Sequence, residues 1–231
     1  MKSKVVLSAL ALLFAAGAMA QDCTFFFPQT KGTQLVKKGY DAKGNLQSVM
    51  TYTVDEVKNI PSGLEVEADY VFKNSAGTVY DKGDLEAFCK DGEFFMEMKE
   101  VLSNPSFVST VQSDVAATDA VINYPSVSNA PSGNGDDMYF DDAYIQIYSK
   151  KNRKDRKNVS IYDREYVTTE QVATPAFDCT KVKYKIKSRS PKETIEGYGY
   201  EWYAPNVGVV KNEQYNNNNQ LQYYTVLEVV K

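Results

Sequence analysis

The sequence predicts an all-β or strongly β-weighted protein, an antiparallel sheet accompanied by at most one or two short helices. Three observations carry this expectation. Runs of β-branched and aromatic residues recur along most of the chain, several alternate apolar with polar residues at a period of two, and the breaks between them are filled by Gly, Asn, Asp, Pro and Ser. The stretch from Gly197 to Lys231 shows all three, GYGYEWYAPNVGVVKNEQYNNNNQLQYYTVLEVVK. It reads as a closing hairpin, two strand-like runs around Asn216–Asn219, because asparagine enters the left-handed region that a tight connection needs.

Taken in order, Met1–Ala20 has a basic start (Lys2, Lys4), an apolar run from Val5 to Ala16 and the small-residue ending Ala18-Met19-Ala20. This is the pattern of an export signal cleaved after Ala20, and the apolar run is too short to cross a bilayer. Residues 21–231 are then expected to form a single β-rich domain, periplasmic or secreted. Without the two signal lysines, 24 basic residues face 30 acidic ones, a formal charge of −6. Mild acidity argues against nucleic acid or anionic lipid as a general partner. No second long apolar stretch follows, so no transmembrane segment is expected in the mature chain.

Leu35–Tyr40 and Leu46–Val57 flank the turn Asp41-Ala-Lys-Gly-Asn45, a first hairpin in which Leu46, Ser48, Met50, Tyr52 and Val54 share one face. Leu64, Val66, Ala68, Tyr70 and Phe72 alternate with Glu65, Glu67, Asp69 and Lys73, a strand with one dry and one wet face. Asn74–Gly77 turns the chain, Thr78–Cys89 returns, and Lys90-Asp-Gly92 leads into Glu93–Val101, completing a meander. Pro105 to about Gln112 is the one helix candidate, with a capping residue before its proline. Tyr124–Asp142 is expected to be a long irregular connection between two halves of the sheet. Strands resume at Ala143–Ser149, Val159–Thr169 and Phe177–Lys187, where Val182, Tyr184 and Ile186 alternate with Lys181, Lys183, Lys185 and Lys187. That basic stripe reads as a solvated face whose lysines resist edge pairing. The count is nine or ten strands.

Three cysteines, Cys23, Cys89 and Cys179, in an oxidising compartment imply one disulfide and one leftover thiol, with three pairings possible. Cys23 with Cys89 is preferred because it would pin a loose N-terminus. Lipid anchoring through Cys23 is the lesser reading, since it lies three residues past the expected cut and Ala20-Gln21-Asp22 matches a lipoprotein signal poorly.

The chain contains no histidine. That removes the Ser/His/Asp and Cys/His nucleophile systems, the usual general base and the commonest zinc ligand together. No catalytic, metal or cofactor site is expected. Lys150–Lys157 holds six basic residues in one hairpin tip suited to an anion, although a solvated loop is the ordinary reading. Asp136, Asp137, Asp141 and Asp142 offer oxygen ligands, but their spacing is not that of a calcium loop. The candidate ligand-binding residues are Tyr198, Tyr200 and Trp202, which alternation places on one face with Tyr203 opposite, able to line a sugar or lipid site by stacking, although packing in a core is the ordinary reading of such residues. The indole of Trp202 is expected to pack inside the sheet.

Several segments resemble a family of exported Gram-negative proteins labelled as similar to domain of unknown function 3108: Tyr40-Asp-Ala-Lys-Gly-Asn45 with Met50-Thr-Tyr-Thr-Val54, Cys89-Lys-Asp-Gly92, Thr174-Pro-Ala-Phe-Asp-Cys179, and Trp202-Tyr-Ala-Pro-Asn-Val-Gly-Val-Val-Lys211. In the third, Phe177 follows Ala176 directly where the family usually has a glycine between them. The resemblance implies a curved half-barrel similar in shape to periplasmic lipoprotein carriers of the LolA and LppX type, whose concave side accepts acyl chains. It brings no catalytic residues. The expected function is therefore non-enzymatic binding of a lipid, another apolar ligand or an envelope protein partner in a concave sheet. An interaction module with a filled core is the alternative, and a carbohydrate-active enzyme, which needs two facing carboxylates in a cleft, is the third.

Overall fold

The computed structural model describes residues 23–61, 63–108, 115–127, 135, 138–149, 155–172 and 176–231. The expected export signal lies outside them. Among the described residues the strands are β1 (Gln34–Asp41), β2 (Leu46–Ile60), β3 (Gly63–Asn74), β4 (Val79–Lys90), β5 (Glu93–Glu97), β6 (Val115–Ala117), β7 (Val121–Tyr124), β8 (Ala143–Ser149), β9 (Arg156–Val172), β10 (Phe177–Arg189), β11 (Thr194–Ala204), β12 (Gly208–Asn216) and β13 (Leu221–Val230). They form one antiparallel sheet in the order β6-β8-β9-β10-β11-β12-β13-β1-β2-β3-β4-β5-β7, curled into a half-barrel. The only described helical pieces are a 3-10 segment, Met98–Ser103, and α1, Pro105–Val108.

Two meanders meet at the chain's ends. β1 pairs with β13 from Leu35↔Val230 to Asp41↔Tyr223, and Gln34 and Lys231 exchange backbone hydrogen bonds of 2.9 and 3.0 Å. Residues 125–142 then link β7, at one edge, to β8, next to the other, so the connection has to be long. Pro125 within it accepts the Tyr203 hydroxyl at 2.7 Å, tying it to the interior.

The inner face carries the alternating residues the sequence nominates. Met50, Tyr52 and Val54 of β2, Val66, Ala68, Tyr70 and Phe72 of β3, and Val182, Tyr184 and Ile186 of β10 are all buried in one cluster. The curl is filled from inside. Phe25, Phe26 and Phe27 enter from the N-terminal segment, Leu102 and Phe107 from the helical pieces. Phe25 meets Phe94 edge-on at 4.7 Å, and Phe26 meets Tyr203 at 4.8 Å, geometries that favour aromatic pairs. The Cys23–Cys89 disulfide clamps this plug to β4, as preferred from the sequence, and Cys179 is a buried free thiol.

Several elements differ from expectation. Glu93–Val101 is strand only to Glu97; from Met98 the chain winds into a 3-10 segment that drops Met98 and Leu102 into the core. The helix spans Pro105–Val108, and residues 109–112 lie outside the described set. β6 and β7 are too short to show a period. The closing stretch makes three strands, not two. Pro205 has no amide to donate, Asn206 takes a φ of +59° and gives its amide to Phe25 O at 2.8 Å, and Gly208 sits where an added Cβ would lie 2.9 Å from Phe26 O. The lysine-striped β10 is no edge; it pairs with β9 and β11 along its length.

Candidate functional site

Alternation along β11 decides which side chains are available to a ligand. Gly199, Glu201 and Tyr203 point into the curl: a Cβ on Gly199 would lie 2.3 Å from the Tyr184 ring, and Tyr203 is fully buried. Tyr198, Tyr200 and Trp202 therefore project from the convex face. The expectation that Trp202 packs inside the curve is corrected on this point. Its indole is buried, yet in a second, smaller cluster with Cys179, Ala204, Val207 and Val210 on the other side of the sheet. The registers Lys181↔Trp202 and Trp202↔Lys211 set an ammonium on either side of it, 4.7 and 4.6 Å from the indole. Its Nε1 donates to Glu170 at 2.5 Å, and that bond, aided by Lys181, holds the Glu170 carboxyl below its ordinary range.

Tyr198 and Tyr200 lie further along the strand and are half-buried. Tyr198 stacks on Tyr215 of β12 (5.2 Å, 9° between planes) and stands perpendicular to Tyr200 at 5.9 Å. Burial and the hydrogen bond to Glu213 push the Tyr215 hydroxyl up to about 12, so it stays a neutral donor. The rings border a groove of about 540 Å³ whose remaining walls are Tyr162, Lys183, Lys185, Glu196, Gly197, Asn217 and Asn219. Gly197 permits its floor: an added Cβ would lie 2.1 Å from Tyr215 O. Across the strands the lysines find acids, Lys183–Glu165 at 3.4 Å, Lys185–Asp163 at 2.8 Å and Lys187–Glu196.

At the centre of the curl a cavity of about 40 Å³ is lined by Glu100, Glu201, Tyr124, Tyr184, Asn212 and Tyr223 among others. Lys37 pairs with Glu100 at 2.6 Å, and Thr225 donates to the same carboxylate at 3.2 Å. Arg164 donates from Nη1 to the Asn123 carbonyl and side chain (2.9 Å each), lies 5.0 Å over Phe140, and approaches Glu201 only to 3.9 Å. Burial raises the Glu201 carboxyl to about 7 despite that guanidinium. Glu100 and Glu201 border here a space for one or two waters.

Sequence reasoning did not find Glu201, Arg164 or Lys37. For Glu201 a signal exists, since it falls in phase with Tyr203. Of the basic tip, residues 150–154 lie outside the described set. Lys157, read as solvated, is instead fully buried, donating to Ser106 O at 2.7 Å and pairing with Glu193 at 3.0 Å. Asp136 and Asp137 also lie outside the described residues; the Asp141 backbone amide donates to Asn123 Oδ1 at 2.9 Å, and the Asp142 carboxylate accepts from the Asp163 amide at 3.2 Å.

Comparison with known proteins matches a family model described as DUF3108-like over residues 30–227. A protein from Parabacteroides distasonis, described as a "putative lipoprotein", is similar in structure with a TM-score of 0.84 and 59% identity, covering 91% of this chain and all of its own. A "putative exported protein with YmcC-like fold" from Bacteroides fragilis has a TM-score of 0.85 and 46% identity, covering 90% of this chain and all of its own. No curated protein matches.

Proposed function

This chain belongs to the DUF3108-like family, and from that premise we propose that it is an extracytoplasmic, non-enzymatic binding module that meets its ligand or envelope partner on the convex face at Tyr198 and Tyr200, with Trp202 buried beside them as their support. The observation that carries this is the contrast in room. Ligand sites occupy roughly 300–1,000 Å³; the outer groove offers about 540 Å³, the centre of the interior about 40 Å³, and a pocket bordered by Ser48, Tyr80, Ser103, Pro105 and Val108 about 280 Å³. An acyl-chain carrier, the reading the half-barrel resemblance implies, needs an apolar hollow of that larger size. Phe25, Phe26, Phe27, Leu102 and Phe107 occupy the space where it would be. A filled interior with a shaped exterior fits the interaction-module reading and moves the ligand site to the other side of the sheet.

Tyrosine nitration tests this. In purified protein, Tyr198, Tyr200 and Tyr215 should nitrate while the buried Tyr52, Tyr184 and Tyr203 do not. In intact envelopes the three outer tyrosines should be shielded. Equal nitration of them in both samples would remove the convex face as the binding side.

A further inference from the structure

We infer that the groove beside Tyr198 and Tyr200 is a saccharide site taking an uncharged sugar, an assignment that rests on the convex-face reading above and names its ligand class. Each feature of the groove answers one side of a sugar ring. A pyranose has an apolar C–H face that lies flat on an aromatic ring and an edge of hydroxyls that both donate and accept. Tyr198 supplies the flat platform, and its stack on Tyr215 fixes the ring before any ligand arrives, so little rotamer freedom is lost on binding. Tyr200, perpendicular at 5.9 Å, closes one side as a wall. Around these two rings the rim alternates donors and acceptors: Lys183, Lys185, Asn217, Asn219 and Glu196. Tyr198 already donates its hydroxyl to Asn219 Oδ1 at 3.2 Å, which orients that amide on the rim.

The charges argue against the two rival ligands that also like aromatic–lysine surfaces. Single-stranded nucleic acid stacks on such rings but needs a positive groove along its backbone. Here Lys183 and Lys185 are each paired with a carboxylate and Glu196 adds another acid, on a chain whose formal charge is −4. A polyanion would meet Asp163, Glu165 and Glu196 along with the lysines. An acyl chain would leave the amide and ammonium groups of the rim facing hydrocarbon, an unfavourable exchange. A neutral sugar makes use of both signs.

Affinity electrophoresis of the exported protein in native gels cast with dextran, mixed-linkage β-glucan or mannan tests the assignment, with polygalacturonate and oligo-dT gels as charged comparators. At least one neutral polymer should retard the protein. Tyr198→Ala and Tyr200→Ala should weaken that retardation about tenfold, and Tyr198→Phe, which keeps the ring, should stay within about threefold of the unmodified chain. Thermal midpoints confirm that each variant is folded. Asn217→Ala, on the rim, gives the same readout if an aromatic variant does not fold. Retardation by the charged polymers alone, or by none, overturns the saccharide assignment. If that happens while Tyr198 and Tyr200 remain shielded in intact envelopes, the binding face itself stands. If a neutral polymer binds and every variant binds it equally, both the saccharide groove and the convex face are overturned.

Discussion

The two faces of β11 are made from the same residue types and put to opposite uses. Inward, Tyr203 has its hydroxyl capped by Pro125 O and its ring held edge-on by Phe26 and Tyr124. Outward, Tyr198 and Tyr200 lean on each other and on Tyr215 but keep part of their surface in water. The difference lies in what closes over them. The N-terminal plug and the helical pieces cover the concave side, with Pro125 and Phe140 packed against it. Across the convex side the only described cover is the layer of lysines and glutamates reaching over from β9, β10 and β12. Composition alone therefore does not say which tyrosine is core; the segment that folds across it does.

The largest effect should come from breaking the inner side. Tyr203→Ala removes a fully buried ring and its hydrogen bond, and is expected to cost about 3–5 kcal/mol in chemical denaturation. Next comes the clamp on the plug. Replacing Cys23 and Cys89 by serine frees a loop spanning 66 residues and should cost about 2–4 kcal/mol. In the unmodified, non-reduced protein, thiol titration should return one thiol, and only after unfolding. Cys179 is buried, and burial pushes its thiol up to about 11, keeping it protonated and unreactive in the fold. Because the Cys23 sulfur is shared with Cys89, this form of the chain has no thiol at Cys23 to carry a lipid.

A smaller effect, confined to a pH window, separates the polar centre from the rest of the interior. Glu201 has its folded value raised to about 7, from an ordinary 4.5, chiefly by burial. The groups facing it are Arg164 and Lys37, which oppose the rise, and Glu100, which adds to it. Below the unfolded value both states are protonated and nothing is lost. As pH climbs from 4.5 to about 7 the unfolded chain releases this proton first, so stability falls across that window by an amount on the order of 3 kcal/mol and then levels off. Denaturation midpoints for Glu201→Gln should lack that part of the fall. An identical pH slope in the variant would move the titration to another group.

Much of this was legible from periodicity. Val66–Phe72 and Val182–Ile186 face inward as their alternation says, and of the three pairings the cysteine count leaves open, the preferred Cys23–Cys89 is the one that forms. What escaped was decided by partners distant in sequence. Nothing local to Met98 says the strand ends there; the turn it starts is held by Met98 and Leu102 packing into the core. Lys157 looks like one more charge in a solvated tip until Ser106 and Glu193 are brought over it. Trp202 is expected inside for its place beside the bend at Gly208, although its phase relative to Tyr203 already sets it on the other face. Pro205 was visible, but its reading as a break needed Phe25 to receive the Asn206 amide.

The smallest expected effect bears most on function. Tyr198→Ala removes one stacked and one perpendicular ring contact at a surface, interactions of roughly 0.5–1.5 kcal/mol each before solvent exposure discounts them. A loss of about 1 kcal/mol or less in unfolding free energy is expected. Trp202→Ala should cost more, because its indole is 4% exposed and bonded to Glu170, and emission from this single tryptophan should be that of a buried ring. These two residues sit four apart on one face of one strand, so the gradient between them measures where the second cluster ends and the ligand face begins. If Tyr198→Ala cost as much as Tyr203→Ala, the whole convex strip would be a second core under cover. The aromatic groove would then be packing, with no side chain to spare for a ligand. A small loss at Tyr198 beside a large one at Trp202 leaves the stacked tyrosines with no structural reason to be there, and binding supplies one.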